Sequence, residues 1–207
     1  MTKAAADLLI ILSGIDPTRP LADDVKARIE AAIAATEASA PAPDFGATPA
    51  AADGVWTTLY SSQGIFGDVP VSFMTRAMPG GGADGGTARV RQVWQEIDMG
   101  RGFYRNSMLL EAGPAATPIH YLATADVAPA PERPNGFGVA FRQMVFAPGA
   151  PGVDNAQVRA ALALSAETPL SITVPSPQPA PATVTYLDDD LRINRGKDYV
   201  AAMQRVR

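Results

Sequence analysis

Three adjacent carboxylates, Asp188, Asp189 and Asp190, form the most concentrated group in this sequence that could bind a divalent cation. Their spacing lacks the alternating oxygen donors and the distal Glu of a calcium-binding loop. They stand between two segments with a strand pattern, where neighbouring acidic residues commonly form a solvated turn. We therefore predict a turn at this position and no metal site.

A glycine-rich segment, Gly80–Gly85, formally matches the GxGxxG motif of nucleotide-binding loops. In those loops a helix follows directly, so that the phosphate meets the N-terminus of the helix. Here a strand pattern begins near Arg89 instead. The mismatch predicts a hairpin loop, and the sequence indicates no cofactor.

Catalysis by an imidazole would have to use His120, the only histidine in a chain without cysteine. The absence of cysteine excludes disulfides and thiolate metal sites. No serine lies in a GxSxG motif. We therefore predict that the protein is not an enzyme and that His120 is a wall residue of a strand. An enzyme that uses His120 together with Asp98 is kept as an alternative hypothesis.

The composition is that of a globular chain with few charges. The 207 residues are 47% hydrophobic and 18% charged, with a formal net charge of −4. No block of Lys and Arg stands out, so nucleic acid is not an expected partner. The apolar run Leu8–Leu12 is too short to span a bilayer. We expect a cytoplasmic protein, with peripheral contact to a membrane as a further expectation.

The N-terminal part of the chain has a helical pattern. The run Leu8–Leu12 predicts a short helix. Val25, Ile29 and Ile33 recur every four residues, which predicts a second helix with one narrow apolar stripe. We expect residues 1–45 to form a helical segment that packs against the rest of the protein.

After an Ala- and Pro-rich connection, apolar residues alternate with period two, which predicts strands. Asp154–Leu164 interrupts them with the pattern of a short helix, and Asp154 is its expected N-cap. The segment Tyr199–Arg207 fits either a strand or a helix. The predicted strands are Val55–Ser61, Val69–Met78, Arg89–Asp98, Gly102–Glu111, Pro118–Val127, Phe137–Ala147, Leu170–Val174, Thr183–Leu187 and Leu191–Arg195.

The predicted strands favour a closed barrel over an open sheet. Arg89–Asp98 carries apolar residues on both faces, so each face must be covered. Closing a meander of short strands on itself also removes its exposed edges. We predict a mainly β fold, an antiparallel up-and-down β-barrel over residues 46–207 with the N-terminal helices packed on it.

The aromatic residues that recur along these strands predict a barrel interior suited to an apolar ligand. Arg105 and Arg142 lie in apolar strands and are candidates for orienting a polar head group. The predicted ligand-binding residues are Tyr60, Phe73, Trp94, Phe103, Arg105, Phe141, Arg142 and Tyr186.

Two segments resemble a known family. Asp53–Ser62 (DGVWTTLYSS) resembles the opening strand of the plastid lipid-associated proteins, or fibrillins. Thr185–Gly196 (TYLDDDLRINRG) resembles the C-terminal signature of that family. Trp94–Asp98 and Arg101–Asn106 are compatible with its middle strands. The segment after Gly196 departs from the family pattern, which leaves the closing strand open. Since no long Ser/Arg-rich transit segment is present, we expect a bacterial relative or a processed form.

The resemblance implies a lipocalin-like barrel that is not an enzyme and that associates with lipids, carotenoids or quinones. The pair Gly54 and Trp56 is similar to the first-strand mark of lipocalins, in which the Trp closes the barrel base beneath an Arg from a late strand. Arg192 and Arg195 are the candidates for that arginine. The side chains of Trp56, Arg192 and Arg195 are therefore expected to be structural.

The resulting hypothesis is non-catalytic binding or carriage of a hydrophobic small molecule, such as a lipid, a carotenoid or a quinone-like isoprenoid, in a barrel cavity. The alternative is a scaffold protein whose barrel is packed solid and which recruits a protein partner at a membrane surface. A cavity in the barrel is the feature that distinguishes the two hypotheses.

Overall fold

The computed structural model describes residues 1–75, 86–175 and 177–207. The predicted glycine-rich hairpin loop at 80–85 lies outside them. The helices are α1 (Lys3–Ser13), α2 (Asp23–Ala38), α3 (Val71–Thr75) and α4 (Asn155–Ala161), with one 3₁₀ turn at Pro49–Ala52. The strands are β1 (Gly54–Ser61), β2 (Gly67–Pro70), β3 (Thr87–Asp98), β4 (Phe103–Ala112), β5 (Thr117–Pro129), β6 (Gly136–Pro148), β7 (Ser171–Thr173), β8 (Ala180–Leu187), β9 (Leu191–Arg195) and β10 (Val200–Arg205).

In the described part of the chain, eight antiparallel strands close into a barrel in the order β1-β10-β9-β8-β6-β5-β4-β3, and β3 pairs again with β1. The short strands β2 and β7 pair beside this ring, on β3 and β6. Each strand of the ring lies next to its neighbour in sequence, so the prediction of an up-and-down barrel with N-terminal helices is confirmed. The C-terminal segment, which the sequence left open, is the strand β10 that closes the ring between β1 and β9.

The two N-terminal helices cover the outer face of β1 and β8–β10. Thr2 caps α1 by accepting a hydrogen bond from the backbone N–H of Ala5. Leu8 of α1 and the stripe residues Ile29 and Ile33 of α2 are fully buried in one cluster with side chains of these strands. The apolar stripe that predicted α2 is therefore the surface by which it packs.

Four strands in the described residues contain a β-bulge. The bulges lie between Thr58 and Tyr60 in β1, between Val90 and Gln92 in β3, at Arg142 in β6, and between Val184 and Tyr186 in β8. A bulge inserts one extra residue, so side chains of the same parity before and after it point to opposite faces. Each of these strands therefore presents odd-numbered residues to one face along part of its length and even-numbered residues along the rest.

The prediction of one strand over Val69–Met78 is wrong for its described part. Strand β2 ends at Pro70, and the helix α3 follows directly. Proline has no N–H to continue the ladder. Val71 and Met74, three positions apart, are both buried, which is the helical spacing. The remaining positions of that prediction lie outside the described residues.

The barrel has two further apolar clusters, one towards each end. At one end α4 packs across β5 and β6, and Asp154 begins it with a capping box to Gln157. At the other end Phe45, from the connection after α2, is fully buried edge-to-face against Phe137 at 5.8 Å. The connection thus closes the base of the barrel, which its aperiodic sequence did not indicate.

Candidate ligand cavity

A cavity of about 440 Å³ lies inside the barrel between the two apolar clusters. It is formed by side chains from β1, β3–β6, β9 and β10, with α3 and the β1–β2 loop at its mouth. The residues around it are Thr58, Ser61, Gln63, Ile65, Phe73, Met74, Val93, Gln95, Asn106, Met108, Tyr121, Ala123, Phe141, Met144, Asn194, Tyr199, Ala201 and Met203.

One wall of the cavity is apolar. It lies on β4–β6 and includes Met108, Tyr121, Phe141 and Met144. Burial raises the pKa of Tyr121 to about 12, so this phenol is neutral at physiological pH. Phe141 packs edge-to-face on Tyr104 at 6.2 Å and is held in place at the lower end of the cavity. The thioethers and rings of this wall suit a flexible or flat apolar ligand.

The opposite wall carries uncharged polar groups. Gln95 and Asn106 face each other across β3 and β4, and Thr58 and Asn194 lie on β1 and β9. The hydroxyl of Tyr104 donates a hydrogen bond of 2.9 Å to Oδ1 of Asn106. The cavity is therefore amphipathic, with most of its amide groups gathered on this side.

The cavity has its mouth at α3. Phe73 is 50% exposed, and with Gln63 and Ile65 it lines both the cavity and a groove on the outside. A ligand that enters the barrel would pass these three side chains.

Below the cavity, Trp56 fills the base of the barrel and is fully buried. Its indole N–H donates a hydrogen bond of 2.9 Å to the carbonyl of Ala52. The guanidinium carbons of Arg192 and Arg205 lie 4.9 and 4.2 Å from the centroid of the Trp56 ring. Stacking of this kind contributes about 0.5–2 kcal/mol, more when the pair is desolvated.

Arg192 is the more deeply placed of the two arginines, with no exposed surface. Its Nη2 donates hydrogen bonds to Oε1 of Gln95 and to the sulfur of Met203, both of which line the cavity. Burial lowers the pKa of Arg192 to about 10, which still leaves it charged at neutral pH. A cation thus lies directly beneath the polar wall.

The other candidate for the stacking arginine, Arg195, lies outside the barrel. Its Nε and Nη2 each donate a hydrogen bond of 2.7 Å to the carboxylate of Glu37 in α2. Thr185 of β8 donates to the same carboxylate. Arg195 therefore connects the helices to the sheet. The second arginine that stacks on Trp56, beside Arg192, is Arg205, which no pattern in the sequence indicated.

Of the eight residues predicted to bind ligand, Phe73 and Phe141 line the cavity. Tyr60 and Tyr186 are buried on the outer face instead, in the cluster under α1 and α2. Each follows a bulge in its strand, and the bulge turns it away from the interior.

The other four predicted residues lie on the outer face of β3, β4 and β6. Trp94 stands between Val93 and Gln95, both of which line the cavity, and Phe103 precedes the inward-facing Tyr104. Neither predicted head-group arginine reaches the interior. Arg105 pairs with Glu96 across β3 and β4, and Arg142 pairs with Asp126. In the pair Arg142–Asp126 both side chains are more than half exposed. Each arginine is thus neutralised by a carboxylate of the neighbouring strand, directly opposite for Arg105 and from the bulge position for Arg142.

Thr58 and Met144, which line the cavity, were missed because of the bulges in β1 and β6. Thr58 has the parity of Tyr60, and Met144 that of Arg142, so simple alternation does not place them correctly. Gln143 breaks the apolar alternation of Phe137–Val145, and this irregularity was the available signal of the bulge in β6.

The residues considered for catalysis do not meet. His120 pairs with Leu109 and Asp98 pairs with Phe103, so they lie at separate points along β4. At 3.3 Å per residue the distance is about 20 Å. The Asp188–Asp190 segment forms the β8–β9 turn, in which the carboxylate of Asp188 accepts the backbone N–H groups of Asp190 and Leu191 at 2.8 Å. The described residues contain no group of three or more possible ligands placed to hold a metal ion.

Comparison with known proteins places the chain in a family. Searches of curated proteins and of solved structures found no match. Within the described residues, no helix is both long enough and apolar enough to cross a membrane. The family model PAP_fibrillin matches residues 3–200, which is nearly the whole chain. The chain therefore belongs to the family of plastid lipid-associated proteins, the fibrillins.

Proposed function

We propose that the protein binds or carries a hydrophobic small molecule inside its barrel. The observation that carries the proposal is the cavity of about 440 Å³ with an apolar wall of methionine and aromatic side chains. Ligand pockets typically measure about 300–1,000 Å³ and are lined mainly by such side chains. Burial of apolar ligand surface contributes about 25 cal/mol per Å², against the entropic cost of association.

Membership of a lipid-associated family supports the same function. The ligand class we propose is a lipid, a carotenoid or a quinone-like isoprenoid, whose long apolar part would lie along Met108, Tyr121 and Met144. The family is generally non-catalytic. The separation of His120 from Asp98 gives no support to the alternative of an enzyme that uses this pair.

A scaffold protein of the kind described above would have a barrel that is packed solid. The cavity therefore does not favour the scaffold alternative. Filling the cavity with a larger side chain distinguishes the two functions, because only ligand binding requires an empty cavity. Ala123 lines the cavity and is 2% exposed, while its neighbour Thr124 lies on the outer face of the same strand. The same aromatic ring can therefore be placed inside or outside the barrel by substitution of adjacent residues.

We expect Ala123→Phe to reduce binding of decylubiquinone, β-carotene and palmitate at least about tenfold, because a phenyl ring would occupy the cavity. Thr124→Phe should leave binding unchanged. Binding of the quinone and of β-carotene is measured by quenching of tryptophan fluorescence, and binding of palmitate by displacement of the fluorescent probe Nile red. Thermal unfolding confirms that both variants fold. No saturable binding of any of the three compounds to the unmodified protein, or equal binding by the two variants, would contradict the proposed function.

A further inference from the structure

Four buried polar atoms beside the cavity have no hydrogen-bond partner among the described residues. They are Oγ1 of Thr58, Oδ1 of Asn194, and both Nε and Nη1 of Arg192. The three residues are 4%, 3% and 0% exposed. Buried polar groups in proteins are nearly always paired, so a group of four unpaired atoms at one place needs an explanation.

The pairing of the strands brings these residues together. On β10, Met203 lies opposite Thr58 of β1 on one side and opposite Arg192 of β9 on the other. Asn194 is two positions from Arg192 on β9, so both point to the same face of the sheet. Thr58, Asn194 and Met203 line the cavity, and Arg192 donates to Met203 and to Gln95 of the cavity wall. The unpaired atoms of Thr58 and Asn194 therefore belong to the lining of the cavity, and Arg192 lies directly behind it, in contact with Gln95 and Met203. We call these three residues, Thr58, Arg192 and Asn194, the polar floor.

The charge of Arg192 has no counterpart in the described structure. The residues around the cavity include neither Asp nor Glu. None of the ion pairs among the described residues involves Arg192. Arg205, which stacks on the same tryptophan, is also a cation, and its charge disfavours the charged form of Arg192. Arg105 and Arg142, the two arginines predicted to orient a head group, are each neutralised by a carboxylate, and Arg192 is not.

We propose that Arg192 and Thr58, the two residues of this polar floor with unpaired donors, bind the carboxylate head of a single-chain amphiphile whose tail lies along the apolar wall. This inference rests on the proposed function and names the chemical class of the ligand. The head group accepts hydrogen bonds from Nε or Nη1 of Arg192 and from the hydroxyl of Thr58. Charge-assisted bonds of this kind are shorter and stronger than bonds to a neutral acceptor.

A carboxylate fits this floor better than a neutral carbonyl or hydroxyl. The free protein has already removed the guanidinium from water, and stacking on Trp56 offsets only part of that cost. An anion that arrives at Arg192 restores the balance of charge, while a neutral head group restores only a hydrogen bond. The preference between two ligands with the same tail then measures the contribution of Arg192.

The test compares hexadecanoic acid with 1-hexadecanol, which have the same chain and differ in the head. Competition against the neutral fluorescent probe Nile red at pH 8 yields the affinity ratio for the acid over the alcohol. We expect a ratio of about ten or more for the unmodified protein, in line with one charge-assisted hydrogen bond. Arg192→Met should bring the ratio close to one, whereas Arg192→Lys should retain part of it.

Arg142→Met is the matched control, because it removes an arginine from the outer face of the same barrel. It should leave the ratio unchanged. If Arg192→Met does not fold, Thr58→Val removes the other donor without touching the stack on Trp56, and it should lower the ratio. Equal affinity of the unmodified protein for acid and alcohol, or a ratio that survives in all folded floor variants, overturns the inference and leaves the proposed function intact. Absence of saturable binding by both compounds, and by the neutral quinone and carotenoid, refutes the proposed function itself.

Discussion

The side chain of Trp56 depends on its neighbours Arg192, Arg205 and Gly54. Arg205 reaches across the barrel end, donating from Nε to the carbonyl of Asp189 at 2.8 Å and from Nη1 to the carbonyl of Asp53. Its path crosses Gly54, where a Cβ atom would lie 2.6 Å from Nη1 of Arg205. Gly54 also has a φ of +126°, a conformation that other residues rarely adopt. Glycine is thus required two positions before the tryptophan for two separate reasons.

Gly54→Ala is expected to destabilise the protein by about 3 kcal/mol or more. Backbone strain accounts for about 1–3 kcal/mol of this, and displacement of Arg205 from Trp56 adds to it. Urea unfolding followed by circular dichroism measures the loss. Gly64→Ala is the control, because Gly64 also has a positive φ, +63°, but a Cβ there meets no atom within 4 Å. It should cost about 1 kcal/mol, and equal losses in the two variants would contradict the role assigned to Arg205.

At the scale of the elements, the helix pair α1–α2 is connected to the barrel by the ion pair between Glu37 of α2 and Arg195 of β9. Burial by itself would raise the pKa of Glu37, but hydrogen bonds from Arg195 and Thr185 and the charge of Arg195 outweigh it and hold the pKa below its ordinary value. A carboxyl whose pKa is lowered by folding stabilises the native state above its unfolded pKa, and loses that contribution as the pH falls through its folded value. The stabilisation is therefore fully present at neutral pH and is lost in acid.

We expect amide hydrogen exchange in α1 and α2 to become faster as the pH falls below about 4.5, relative to the exchange of β4 and β5 and after correction for the intrinsic rate. Glu37→Gln should show faster exchange in α2 already at pH 7 and a smaller change with acid. Because Arg195 is partly exposed, the effect on stability should be about 1 kcal/mol or less. Asp126→Asn, which breaks the exposed pair with Arg142, serves as the control and should leave α2 unchanged.

At the scale of the whole molecule, closure of the barrel depends on β10. This strand pairs with β1 on one side and β9 on the other, and its residues Ala201 and Met203 face the cavity. Without it, β1 and β9 would become open edges with unpaired backbone groups, which promote aggregation. The last strand of the described chain is therefore needed both for the fold and for the ligand site.

Removal of residues 200–207 is expected to abolish cooperative thermal unfolding and to produce aggregates on size-exclusion chromatography. Removal of Arg207 alone takes away only its exposed ion pair with Asp190, and the Tm should change by about 2 °C or less. A monomeric, cooperatively folding protein after the longer truncation would show that the ring does not require β10.

Much of this architecture is already determined by the sequence. The stripe of Val25, Ile29 and Ile33 predicted the helix that packs on the barrel, and alternating residues located most of the strands to within two or three positions. Local periodicity suffices there, because each element must bury one face. Two short segments, Asp53–Ser62 and Thr185–Gly196, also predicted the family, and the match of the family model to residues 3–200 confirms this prediction.

The tertiary structure alone decided which side chains face the cavity. Bulges in β1, β3, β6 and β8 reverse the parity of each strand, so Tyr60 and Tyr186 turn outward while Thr58 and Met144 face the interior. A bulge arises from how a strand bends to close the ring against its neighbours, and one sequence read alone does not contain those neighbours. For the same reason Arg192 could be told from Arg105 and Arg142 only after the strands were paired. Its guanidinium lies behind the cavity wall, bound to Gln95 and Met203, and no ion pair among the described residues neutralises it.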